Sequence, residues 1–134
     1  MSAAAILWRA VLAAAAAMGM GEAPASACSC RCETDAAALV RETPLLFRGR
    51  PTAETVVGEE RRYTFDVVAV HKGDIAARVT VSTSLYGAAC GVTYSIGREV
   101  LVGAYPGKDG LSVNRCTQVC VDRHREAIEP LPAR

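Results

Sequence analysis

The chain has 134 residues, 51% of them apolar, 22% charged and only 5% aromatic, with a formal net charge of +1. That length suits one small domain, and 15 basic residues set against 14 acidic ones leave no electrostatic footprint for nucleic acid or an anionic membrane surface. The mean hydropathy of +0.18 is raised by the opening residues, where Ala3 to Met20 is almost wholly small or apolar.

That opening reads as an export leader. Arg9 precedes an alanine-rich run over Ala10 to Gly21, and Pro24-Ala25-Ser26-Ala27 offers small residues where a signal peptidase cuts. The run is shorter than the roughly 20 apolar residues that a bilayer span needs. Residues 1–27 are therefore expected to be removed, leaving Cys28 first and no membrane insertion. A lipid on Cys28 is the alternative. Against it, Ala25 stands where a lipoprotein signal carries a large aliphatic residue, and Glu22 and Pro24 interrupt the apolar run. The expected location is extracytoplasmic, in a periplasm or outside the cell.

All six cysteines follow the leader: Cys28, Cys30, Cys32, Cys90, Cys116 and Cys120. In an oxidising compartment they predict three disulfides. Alternate residues of an extended segment point apart, so neighbours in Cys28-Ser29-Cys30-Arg31-Cys32 do not suit one another as partners. The framework is therefore expected to staple the mature terminus to the second half of the chain, with the individual pairs left open. A soft-metal site for copper or zinc is the rival reading of this cluster, but free thiolates would have to survive oxidation. No cofactor is expected.

Along the mature chain, Glu33 to Thr43 reads as a short helix capped by Thr34 or Asp35 and ended by Pro44. Leu45 to Val57 reads as extended, with a turn at Gly58-Glu59-Glu60 that makes a hairpin. Arg61 to Val70 alternates, with Tyr63, Phe65, Val67 and Ala69 on one face. Lys72-Gly73-Asp74 turns the chain into a β-branched strand, Val79 to Thr83. A loop from Leu85 to Gly97 carries Cys90. Glu99 to Tyr105 is a fourth strand, Pro106 to Gly110 a turn, and Leu111 to Arg115 a fifth strand running into Cys116, with one or two helical turns after Cys120. Five strands of antiparallel character with terminal helices predict an all-β fold, a small five-stranded barrel of OB-fold type. No repeat or second domain interrupts it. Residues 129–134 read as a frayed, flexible tail.

Catalytic constellations are missing from the pattern. His71 and His124 have no metal or base spacing, and His71 reads as the cap of a strand end. No serine sits in a nucleophile elbow, no glycine-rich phosphate loop occurs, and Glu59-Glu60 falls in a turn. The expectation is a monomer that is not an enzyme.

Taken together, several pieces resemble the netrin-like OB-fold domain and, within it, the tissue inhibitors of metalloproteinases. Cys28-Ser29-Cys30 after a signal site is similar to the family's mature start. Ala37 to Arg50 resembles its helix and first strand, Tyr63 to Gly73 its second strand, Cys90-Gly91 its Cys-Gly, and Glu99 to Cys116 its last hairpin. The resemblance spans residues 28–128. It implies the pairs Cys28 to Cys90 and Cys30 to Cys116, which leaves Cys32 to Cys120. It also implies a mechanism in trans. The Cys28 α-amine and carbonyl oxygen would chelate the catalytic zinc of a secreted metalloprotease at its open position, displacing water, while Ser29 points toward the substrate pocket. Two departures stand out. Arg31-Cys32 replaces the family's apolar residue and proline, and Val40 occupies the position of its third bridge. The alternative is a non-inhibitory secreted or envelope-associated binding or structural module, its bridges purely structural.

Overall fold

A computed structural model describes residues 28–134. The expected leader, residues 1–27, lies outside the described residues. Helix α1 (Ala36–Glu42) starts where the Asp35 carboxylate accepts the Ala37 N–H at 3.1 Å, and it stops at Thr43, just before Pro44. Its last carbonyls find a cation: Lys72 Nζ donates to the oxygens of Val40 and Arg41 at 2.6 and 3.0 Å.

Strands β1 (Leu45–Val57) and β2 (Glu60–Lys72) form a long hairpin, with Gly58 at φ 61° in its turn. Three register shifts between them let the ribbon curl. Strand β3 (Arg78–Ser84) pairs antiparallel with β2, and β4 (Val100–Gly107) pairs antiparallel with β1. The short β5 (Gly110–Ser112) pairs antiparallel with β4 and parallel with β3, which closes the barrel in the order β1-β2-β3-β5-β4. The pairing has the expected antiparallel character at every seam but the parallel one between β3 and β5. Local sequence patterns carry no information about which way two distant strands run relative to each other.

Alternation along the strands fills the barrel. Phe47, Tyr63, Phe65, Val81, Tyr94 and Val102 are buried together, and the Phe47–Phe65, Tyr63–Tyr94 and Phe65–Tyr94 rings meet edge to face at 5.2 to 5.8 Å. A second cluster, with Leu39, Leu46, Leu101, Val121 and Ile128, lies between the barrel and the helices. Those helices are α1, α2 (Arg115–Arg123) and the single turn α3 (Arg125–Ile128). Helix α2 crosses β4 at Gly103, where a Cβ would stand 2.7 Å from Val121 Cγ2 and 3.0 Å from Thr117 Cγ2. Only glycine permits that approach.

Two local expectations need correction. The fifth strand stops at Ser112, and Arg115 and Cys116 open α2, because Asn114 Oδ1 accepts the Thr117 N–H at 2.9 Å and caps a helix there. His71 lies within β2, not at a cap; its Nδ1 sits 3.2 Å from the Leu131 carbonyl oxygen. Residues 129–134, expected as a flexible tail, make contacts with the rest of the domain. Leu131 packs on the second cluster, and the Arg134 backbone exchanges N–H···O bonds of 2.9 and 3.0 Å with Val70. Among the described residues no helix is long and apolar enough to cross a membrane.

Candidate functional site

The site expected at Cys28 to Cys32 is an extended, irregular segment tied down at every second residue. Cys28 bonds Cys90, Cys30 bonds Cys116, and Cys32 bonds Cys120. The spacing has a simple geometric cause. Alternate residues of an extended chain lie about 6.7 Å apart, and four residues of α-helix rise about 6 Å. Cys30 and Cys32 can therefore clip onto Cys116 and Cys120, one turn apart on the same face of α2, with the two segments running the same way. The Asn114 cap fixes the first turn of that helix and so fixes Cys116.

Cys90 arrives from the other side. It follows the 3-10 turn Gly87–Ala89 and takes φ 60°, ψ 30°, a left-handed conformation that costs a non-glycine residue about 1 kcal/mol or more. Its N–H donates to Gly87 O at 3.1 Å, and its carbonyl accepts the Arg115 N–H at 2.7 Å. The Arg115 guanidinium reaches the neighbouring Gly91 carbonyl at 3.3 Å. The Cys90 loop and the start of α2 are thus bound to one another directly as well as through the terminal segment.

Two of the bridges touch. Cys28 Sγ lies 3.8 Å from Cys116 Sγ, and the sulfurs of Cys28, Cys30 and Cys116 all fall within 4.8 Å of one another. All six cysteines are bonded, so none offers a free thiolate in this state. The terminal segment is graded in exposure: Ser29, Cys30 and Arg31 are exposed, Cys28 and Cys32 half-buried, and Cys120 only 5% exposed. An open cleft of about 250 Å3 runs beside it, lined by Arg31, Glu33, Glu42, Tyr105 and Asn114 among others.

A second concavity, about 390 Å3, lies between α2 and the segment before β4. Its floor is a polar network that sequence reasoning missed. Tyr94 Oη donates to Gln118 Oε1 at 2.8 Å, while Gln118 Nε2 donates to the Leu101 carbonyl at 2.8 Å and to Asp122 Oδ1 at 3.1 Å. Burial, reinforced by the charge of Asp122 and by Tyr63, pushes the Tyr94 phenol far above its ordinary range, so it stays a neutral donor. The network binds α2 to β4 and the Tyr94 loop. A lone Gln in a short amphipathic stretch gave no sign of it.

The histidines serve the backbone. His124 Nε2 lies 2.8 Å from the Glu33 carbonyl oxygen, and His71 contacts Leu131 as above. Glu60, expected in a turn, lies in β2 and pairs with Arg62 at 3.1 Å. Compared with known proteins, the chain matches no family model and no curated relative.

Proposed function

We propose that the protein is an exported inhibitor of zinc metalloendopeptidases, built on a netrin-like OB-fold and acting through Cys28 as the first residue of the mature chain. The barrel order β1-β2-β3-β5-β4, with β1 paired on both sides and a parallel β3–β5 seam, supports the OB-fold assignment. Three disulfides fit an oxidising compartment.

The observation that carries the reading is the exposed Ser29-Cys30-Arg31 stretch, gripped on its flanks by the Cys28–Cys90 and Cys32–Cys120 bridges and at its centre by Cys30–Cys116. A catalytic zinc keeps one open position. The α-amine and carbonyl oxygen of a first residue can fill it as a five-membered chelate, which no internal residue can offer. Rigid bridging means little ordering entropy is lost on docking. The amine must be unprotonated to ligate, and its ordinary pKa is about 7.7 to 8.0, so inhibition weakens as pH falls below neutrality.

The test compares protein beginning at Cys28 with protein carrying one extra alanine before it, against a panel of secreted zinc endopeptidases. Inhibition by the first form and its loss in the second supports the chelate. Equal inhibition by both overturns it. A non-inhibitory binding module is the second reading, favoured by one observation: Arg31 and the Cys32–Cys120 bridge broaden the segment where a slender, substrate-like ridge would enter a protease cleft. On that reading neither form inhibits any member of the panel.

A further inference from the structure

Three sulfurs, those of Cys28, Cys30 and Cys116, converge at one place on the molecule, and a fourth, Cys90, is bonded to one of them. The Cys28–Cys90 and Cys30–Cys116 bridges meet at a 3.8 Å contact between Cys28 and Cys116. A metal ion bound by four thiolates at about 2.3 Å in a tetrahedron has sulfur–sulfur edges of about 3.8 Å. The existing contact is already one such edge, and Cys30 lies within 4.8 Å of both sulfurs that form it. Cys90 stands outside that group and would have to turn toward it as the fourth ligand once its bond to Cys28 opens.

We propose that these two touching bridges are the closed form of a four-thiolate zinc site, opened by partial reduction. Two equivalents of a dithiol reductant each become a disulfide, and together deliver four electrons and four protons to the two bridges. Cys28, Cys90, Cys30 and Cys116 are left as thiols. One Zn2+ then displaces four protons and is held by four thiolates, and the Arg115 guanidinium, bonded to Gly91 next to Cys90, offsets part of the resulting negative charge. The scaffold survives this step because the third bridge is placed differently. Cys30 is exposed, and Cys28, Cys90 and Cys116 are half-buried. Cys120 is nearly closed to solvent within the Leu39, Leu46, Leu101 and Ile128 cluster, with Cys32 packed against it. Exposed bridges are the labile ones. With Cys32 still bonded to Cys120, the terminal segment stays beside α2, and Cys30 cannot leave Cys116 by more than a few residues of slack.

The experiment is independent of any protease. The oxidised protein is titrated with a phosphine reductant, and the opened cysteines are mapped by alkylation and peptide mass spectrometry. Protein in which four thiols are free is then titrated with Co2+, read by the visible bands of tetrahedral cobalt thiolate, and with Zn2+ against a chromophoric chelator. The expected result is opening of Cys28, Cys90, Cys30 and Cys116 before Cys32 and Cys120, then one metal per chain, with none taken up by the oxidised protein. Cys28→Ser/Cys90→Ser, reduced in the same way, should bind Zn2+ at least about a hundred-fold more weakly, having lost two of four ligands. Simultaneous opening of all three bridges overturns the proposal. So does a four-thiol wild type that gives no tetrahedral cobalt spectrum, a readout that stands even if the double variant fails to fold.

Discussion

Removing the Cys32–Cys120 bridge is a quantitative test of how the three staples share their work. Its sequence separation is 88, and a lone crosslink closing a loop that long is worth about 4.6 kcal/mol in the chain-entropy model. The neighbouring Cys30–Cys116 bridge changes the sum. With that bridge intact, the unfolded chain already holds Cys30 to Cys116, and the third bridge only closes a ring made of residues 30–32 and 116–120. A ring of about eight residues is worth about 2.5 kcal/mol in the same model. Cys32→Ala/Cys120→Ala should therefore lose about 2.5 kcal/mol, plus up to about 1 kcal/mol for the packing of the buried Cys120 sulfur. The assay is urea denaturation under non-reducing conditions, with the remaining two pairs verified by mass spectrometry. A loss of 4.6 kcal/mol or more from the bridge itself would refute the shared ring. A loss well under 1 kcal/mol would refute the entropic account altogether.

Gly103→Ala places a methyl 2.7 Å from Val121 Cγ2 and 3.1 Å from Thr43 Cγ2, so it should cost about 1 to 3 kcal/mol by urea denaturation; an unchanged midpoint would mean that α2 slides freely on β4. Tyr94→Phe strands the Gln118 oxygen and should lose about 1 to 2 kcal/mol at neutral pH. The folded-state pKa of Tyr94 is raised, so its protonated phenol contributes stability that is fully present below pH about 10 and is lost as pH climbs above that, by up to about 1.4 kcal/mol per pH unit. The wild-type and Tyr94→Phe stability curves should converge above pH 10, and parallel curves would contradict the assigned burial.

What could be read in advance follows the range of the interactions. Asp35 before an alanine-rich stretch, the turn at Gly58 and the alternation through Tyr63 and Phe65 are all local, and the helix and long hairpin stand where they indicated. The Arg115 and Cys116 helix was hidden because Leu111, Ser112 and Val113 look like a strand that simply continues; the overlooked signal was Asn114 as a cap. The parallel β3–β5 seam and the Tyr94–Gln118 network join residues far apart in the chain, so no local pattern contains them. Docking of the final residues depends on Leu131 finding a cluster that exists only once the barrel and helices have assembled. At the site, the cysteine positions were plain in the sequence, while the sulfur–sulfur contact across two bridges is visible only in three dimensions.

The two hydrogen bonds between Arg134 and Val70 cover the flank of β2 at a point beyond the residues paired with β3. Without Arg134, Val70 would present one N–H and one C=O unpaired on that flank. A deletion there would be a route to unwanted strand pairing between molecules.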